Sequence, residues 1–167
     1  EHTSTLTSMN NLANSLHAQG DLAGARGLHE NALEILRRVL GEEHPSTLTS
    51  MNNLAQMFQS QGDLAGARSL HEKVLGIRRR VLGEEHPDTL ATMNNLAKSI
   101  YAQGEFAVAR SFQERALSIR RRVLGEEHPD TLTSMNNLAN TLEVQGDLTG
   151  ARWLHGVVLD IRRRVQG

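Results

Sequence analysis

The chain has 167 residues, of which 38% are hydrophobic and only 3% aromatic, with 18 basic side chains against 19 acidic ones and no cysteine. The missing cysteines exclude disulfides and thiolate zinc sites and agree with a reducing compartment, and the balanced charge supplies no single-sign field to draw the chain to nucleic acid or a membrane surface. No apolar run approaches the roughly 20 residues that cross a bilayer, so a cytoplasmic location is expected, and a core so poor in aromatics must be built from Leu, Ile, Val, Met and Ala.

Leu6, Met9, Leu12, Ala13 and Leu16 recur at steps of three and four, which places them on one face of a first helix, A. Gln19-Gly20 ends it, glycine being suited to the left-handed position after a helix, and Asp21 is placed to cap a second helix, B. The joint is so short that A and B must run antiparallel. Helix B carries a seam of Ala25, Leu28, Ala32, Ile35 and Val39, flanked by Leu22, Leu33 and Leu40. Small residues at Ala25, Ala67, Ala109 and Ala151 let A and B approach closely. Gly41, Gly83 and Gly125 stop helix B, and Pro45, Pro87 and Pro129 stand at the first turn of the next helix A. The intervening Gly-Glu-Glu-His-Pro linker is predicted to be short and ordered.

This unit returns every 42 residues: Met-Asn-Asn-Leu-Ala at Met9 reappears at Met51, Met93 and Met135, each copy followed by Gln-Gly and an acidic residue. One helix pair cannot bury its apolar face alone; stacked pairs share a continuous core. HEAT and armadillo units have similar periods, so the internal pattern decides between them. Met9-x2-Leu12-Ala13-x2-Leu16 followed by Gly20-Asp21 and Ala25 resembles the tetratricopeptide signature. The Asn-Asn-Leu-Ala core of helix A, the Arg-Arg-Arg-Val-Leu-Gly end of helix B and the His-Pro-Asp-Thr that follows (Arg79 to Thr89, Arg121 to Thr131) are similar to its long form, found in kinesin light chains and in the sensor arrays of some signalling ATPases. The resemblance covers the whole chain. It implies an all-α fold, an α-solenoid of four antiparallel helix pairs wound into a right-handed superhelix. One domain of residues 1–167 is expected, with repeats at approximately 1–41, 42–83, 84–125 and 126–167. Glu1-His2 matches Glu43-His44 inside a repeat, so the chain is expected to be a piece of a longer protein. Met9, Leu16 and His29 replace the large aromatics of the signature, and Arg37 stands where its closing proline falls, helix B running on about two turns.

Opposite the apolar face of helix A lie rows of equivalent residues: Thr7, Thr49, Ala91 and Thr133; Asn10, Asn52, Asn94 and Asn136; Asn11, Asn53, Asn95 and Asn137; and Asn14, Gln56, Lys98 and Asn140. In the tetratricopeptide fold this face lines the concave groove. Asparagine is a poor helix-interior residue because its side chain competes for backbone groups, so two in every helix A need compensation from tertiary hydrogen bonds or from a ligand. An amide donates and accepts, and a ladder of amides can hold the backbone of an extended peptide. The alternative is that one or both Asn rows bond to neighbouring helices and set the repeat spacing. A further variable position, His17, Gln59, Tyr101 and Glu143, adds specificity, Lys98 and Tyr101 together favouring an acidic or aromatic element. The candidate peptide-binding residues are therefore Asn10, Asn11, Asn14, Asn52, Asn53, Gln56, Asn94, Asn95, Lys98, Tyr101, Asn136, Asn137 and Asn140.

The arginine runs (Arg37-Arg38, Arg78 to Arg80, Arg120 to Arg122, Arg162 to Arg164) sit in the last turns of helix B, where cations complement the helix dipole, and Glu-Glu follows at 42–43, 84–85 and 126–127. They read as solvated, locally paired charge rather than a nucleic-acid footprint. His44, His86 and His128 stand one to a repeat, too far apart to share a metal, and no His-Glu-x-x-His is present; a linker role at the start of helix A is expected. No nucleophile with its base, glycine-rich phosphate loop or distinctive carboxylate pair stands out, so neither a catalytic activity nor a cofactor is expected. In the last helix B, Leu154, Val158, Ile161 and Val165 form a seam that a following helix A would cover, which predicts an exposed apolar end and end-to-end self-association. The reading is a non-catalytic scaffold binding an extended peptide or partner protein in the groove lined by helix A. Its alternative is a structural spacer or self-associating array whose Asn rows only hold repeats together.

Overall fold

A computed structural model describes residues 8, 9, 11–13, 15, 16 and 18–166, with Gln166 described for its backbone alone. The described residues among 8–18 are helical, and seven helices follow: α1 (Leu22–Leu40), α2 (Pro45–Ser60), α3 (Leu64–Leu82), α4 (Pro87–Ala102), α5 (Phe106–Leu124), α6 (Pro129–Val144) and α7 (Leu148–Gln166). Among the described residues there is no strand. The all-α repeat architecture expected from the periodicity is present, with α2, α4 and α6 as helices A and α1, α3, α5 and α7 as helices B.

The helix boundaries follow from local chemistry. α2, α4 and α6 each open on a histidine whose Nδ1 accepts the backbone N–H two residues on, Ser46 at 3.1 Å, Asp88 at 3.2 Å and Asp130 at 3.1 Å, ahead of a proline in the first turn. The linker histidines are thus N-caps, an acceptor role that requires an unprotonated Nδ1. Helix B is capped by the carboxylates of Asp21, Asp63 and Asp147, which accept from Gly24, Gly66 and Gly150 at 2.9 Å. In the third repeat Glu105 makes no such side-chain bond, and the residue three positions on is Val108. A Cβ on Gly66 would lie 2.5 Å from Asp63 Oδ2 and 2.8 Å from Phe58 Cδ2, so the short carboxylate cap and the glycine go together. Gly41 and Gly125 close helix B at φ +87 and +88, a region that disfavours side chains. The linker is ordered as expected: Thr47 Oγ1 donates to Gly41 O and Thr89 Oγ1 to Gly83 O, both at 2.8 Å.

Contacts divide the chain into two compact units, Glu1–Val81 and Leu82–Gly167. In the first, α1 packs on α2, and Leu33, Leu48, Met51, Leu54 and Val74 form a core flanked by Phe58, Leu70 and Ile77. Gln61, in the turn after α2, reaches back to donate from Nε2 to Leu22 O at 2.8 Å, tying that turn to the start of the preceding helix B. In the second unit each helix packs against its neighbour in sequence, and Leu117, Leu132, Met135, Leu138, Ala139, Leu142, Ala151, Leu154, Val158 and Ile161 form the core. Ala25, Ala67, Ala109 and Ala151 are all buried, as close approach of A and B requires.

Two features of helix B differ from the sequence expectation. The seam ends a residue early: Val39, Val81 and Val123 are exposed. A second buried stripe runs beside it, through His29, Leu33 and Leu36 in α1 and through Gln113, Leu117 and Arg120 in α5. Helix B is thus buried on two sides, toward its own helix A and toward the following one, and polar positions on the second side masked that stripe in the hydrophobic pattern. The same geometry corrects the expected apolar end. Leu154, Val158 and Ile161 are buried in the core of their own helix pair, and of that seam only Val165 is exposed.

Candidate binding surface on the first helix of each repeat

The amide rows differ in depth. Asn52 and Asn94, in the first row, are only 7% and 6% exposed, and Asn136 is half-buried. Asn53, Asn95 and Asn137, in the second row, are all half-buried, and Asn11 is exposed. Gln56, Lys98 and Asn140 are exposed, as are Thr49, Ala91 and Thr133. Asn10 and Asn14 lie outside the described residues, as do Thr7 and His17. On a helix, neighbouring positions point 100° apart, which is enough to send the first row toward adjoining helices while the second stays at the surface. Tyr101 is half-buried, its ring meeting Phe106 edge-on at 5.1 Å between centroids, so its position is fixed by packing rather than free to adapt.

In the second unit the first row is part of a buried polar chain. Asn94 Nδ2 donates to Ser134 Oγ at 3.2 Å, across from α4 to α6. Arg120 of α5 donates from Nη1 to the same Ser134 Oγ at 2.6 Å and to Asp130 O at 3.1 Å. Burial lowers the Arg120 guanidinium from its ordinary value, with the Asp130 carboxylate opposing that shift. In the last repeat Asn136 Oδ1 lies 3.3 Å from His155 Nδ1, again between helix A and helix B. Asn94 and Asn136 thus find within the protein part of the compensation that an asparagine in mid-helix requires.

The arginine runs have three separate roles that the sequence did not distinguish. The first member of the third run, Arg120, enters the buried chain, and Arg78, its equivalent, is also buried. Middle members face the following linker, with Arg37 at 3.3 Å from Glu42 and Arg121 at 3.5 Å from Glu126. The last members reach the linker before their own helix A, pairing Arg80 with Glu43, Arg122 with Glu85 and Arg164 with Glu127, each at 2.6 Å. A charge run of equal-looking residues carries no sequence signal of this division; the one hint is that Leu36 stands in the first repeat where Arg78 and Arg120 stand in the next two. Among the described residues no group of three or more His, Asp or Glu side chains is placed to hold a metal ion, and no helix is long and apolar enough to cross a membrane.

The tetratricopeptide repeat family model matches residues 4–80, 54–106 and 91–164. The chain belongs to the tetratricopeptide repeat family. Among solved structures it is similar to nearly identical TPR-like repeats of a Podosopora anserina protein described as a kinesin light chain, at 32% identity over 96% of this chain and 76% of that one, with a TM-score of 0.84. BtubC (BKLC) from P. vanneervenii shares the fold at 24% identity and a TM-score of 0.85, covering 100% of this chain and 66% of that one. The apo form of RapI shares it at 13% identity and a TM-score of 0.79, covering 98% and 57%. No curated protein sequence matches the chain. The array is thus of the kinesin light chain-like type, a class of protein-interaction scaffolds.

Proposed function

We propose that the chain is a non-catalytic, cytoplasmic scaffold that holds an extended peptide or a partner protein along the surface of its helices A, with the two amide rows doing different work. The second row, Asn11, Asn53, Asn95 and Asn137, together with Gln56, Lys98, Asn140 and Tyr101, forms the recognition surface, while the first row secures the helices that present it. The observation that carries this reading is the difference in depth: Asn52 and Asn94 are buried, whereas Asn53 and Asn95, one residue on, keep part of their surface open. A half-exposed amide can exchange water for a peptide carbonyl or N–H without disturbing the core.

Panning a displayed random-peptide library against the chain tests it. Selected peptides should lose capture when Asn95→Ala and Asn137→Ala are combined, with the melting curve little changed. Capture that survives this double variant, or an exhaustive selection that yields no binder, contradicts the assignment. A second reading, a spacer or self-associating array whose amides only join repeats, is favoured by the Asn94 to Ser134 bond. It holds in full if the second row proves as silent in binding as the first.

A further inference from the structure

We propose that a cavity on the helix B side of the second unit takes a lysine or arginine side chain of a partner protein, its alkyl stem over Leu117 and Leu138 and its cationic head on Glu126. The site is separate from the helix A surface and independent of what binds there. The cavity, about 520 Å³ and open to solvent, lies between α5, the linker after it and α6. Its floor is the buried pair Leu117 and Leu138, and Glu114, Ser118, Arg121, Arg122 and Glu126 stand around it.

The template for its occupant is the array itself. At the two earlier linkers the first glutamate of Glu-Glu takes a cation from the next helix B: Lys73 Nζ lies 2.6 Å from Glu42, and Arg115 Nη2 lies 2.6 Å from Glu84. The Lys73 hydrogen bond holds the Glu42 carboxyl below its ordinary value. At the third linker the residue equivalent to Lys73 and Arg115 is Val157, which cannot make this pair. Among the described residues the cation facing Glu126 is Arg121 alone, at 3.5 Å. The Glu126 side chain is accordingly 62% exposed, against 42% for Glu42 and 30% for Glu84.

The substitution, and not a shift of α7, leaves this place open. Arg164, two turns after Val157, pairs with Glu127 at 2.6 Å as Arg80 does with Glu43 and Arg122 with Glu85. Val157 itself packs against the core that contains Leu117 and Leu138. It points 200° away from Leu159 around the helix, so the site lies on the side of α7 that looks back along the chain. The other charges at the cavity are engaged: Glu114 meets Arg110 at 2.7 Å and Arg122 meets Glu85 at 2.6 Å. What remains is a carboxylate beside an apolar floor. A lysine or arginine side chain fits both, laying its methylenes on the leucines and its head against the carboxylate, with the Ser118 hydroxyl as a further acceptor. An anion would meet Glu114 and Glu126, and a neutral apolar group would leave Glu126 without its second cation.

Nuclear magnetic resonance of the nitrogen-15-labelled chain tests this by titration at low salt with a blocked peptide of one lysine between alanines, and with its norleucine counterpart as uncharged control. The lysine peptide should shift the amides of Ser118, Glu126 and Val157 saturably, and the norleucine peptide should not. Glu126→Gln, at an exposed position, should keep the melting curve and weaken the lysine peptide about fivefold or more. Val157→Lys, which supplies the chain's own cation, should block the site, while combined Asn95→Ala and Asn137→Ala should leave it unchanged. Equal shifts with norleucine, shifts that survive Glu126→Gln, or no saturable shift at all overturn the proposal. Shifts confined to α4 and α6 that vanish in the double asparagine variant overturn it too, and place the peptide on the helix A surface.

Discussion

Arg120 is buried because its partner atoms come from the next helix A: the Ser134 hydroxyl and the Asp130 carbonyl. Taking a guanidinium out of water costs several kcal/mol, and such networks are often no more stable than an apolar side chain of similar size. The first repeat places Leu36 at this position, buried like Arg120. Arg120→Leu should therefore leave the urea midpoint unchanged or raise it, whereas Ser134→Ala, which strips a partner from both Arg120 and Asn94, should lower stability by about 1–3 kcal/mol. His71 gives a second test. It is fully buried, and desolvation lowers its pKa from 6.5 to about 4. The unfolded chain thus binds the proton more readily, so this contribution is complete above about pH 6.5 and is lost as pH falls toward 4, up to ~3 kcal/mol in all. His71→Gln, the residue that the third repeat has as Gln113, should shrink the difference between urea midpoints measured at about pH 4.5 and pH 7.5.

At the level of the helix, glycines that look alike in the sequence have opposite constraints. Gly76 lies in mid-helix in α3 with nothing within 4 Å of the position a Cβ would take, so Gly76→Ala should stabilise the protein by about 0.5–1 kcal/mol through helix propensity alone. Gly66, ten residues earlier in the same helix, has the Asp63 carboxylate and the Phe58 ring against it. Gly66→Ala should forfeit that gain by displacing the cap, and comparing the two melting temperatures checks both expectations. Val108 shows the alternative solution, a larger residue where the acidic residue before the helix makes no side-chain cap. The capping histidines belong to this scale as well. Their placement at the start of helix A was legible from the following proline, but the ring nitrogen as the acceptor was not, since histidine is an uncommon cap.

For the whole molecule, the arrangement of charge argues against a nucleic-acid partner more strongly than the balanced total does. Arg80, Arg122 and Arg164 are engaged by Glu43, Glu85 and Glu127, and Arg120 is inside. A labelled single-stranded RNA titrated with the chain at low salt should show no saturable change in anisotropy, where a true basic groove would give tight, steeply salt-dependent binding. The exposed pairs recur from repeat to repeat, yet ion pairs of this kind contribute little individually. The core contacts between successive helices are what hold each unit together.

The sequence by itself determined the helix pairs, their boundaries, the repeat and its family, because each rests on short-range chemistry: apolar residues at three- and four-residue steps, an acidic residue or histidine before a helix, a glycine or proline after one. It separated the Met, Leu and Ala of the repeated Met-Asn-Asn-Leu-Ala as core from the asparagines beside them, which holds for Met51, Leu54 and Ala55 and their later copies, whereas Leu12 in the first repeat is exposed. Only the tertiary structure decided that Asn52 and Asn94 turn inward while Asn53 and Asn95 stay at the surface, that Arg120 is buried while Arg122 is not, and that Leu154 of α7 is buried while Leu159 is exposed. Those distinctions arise between residues one to five positions apart on a single helix. They depend on which neighbouring helix lies on which side, and a repeating pattern read along one chain does not contain that information.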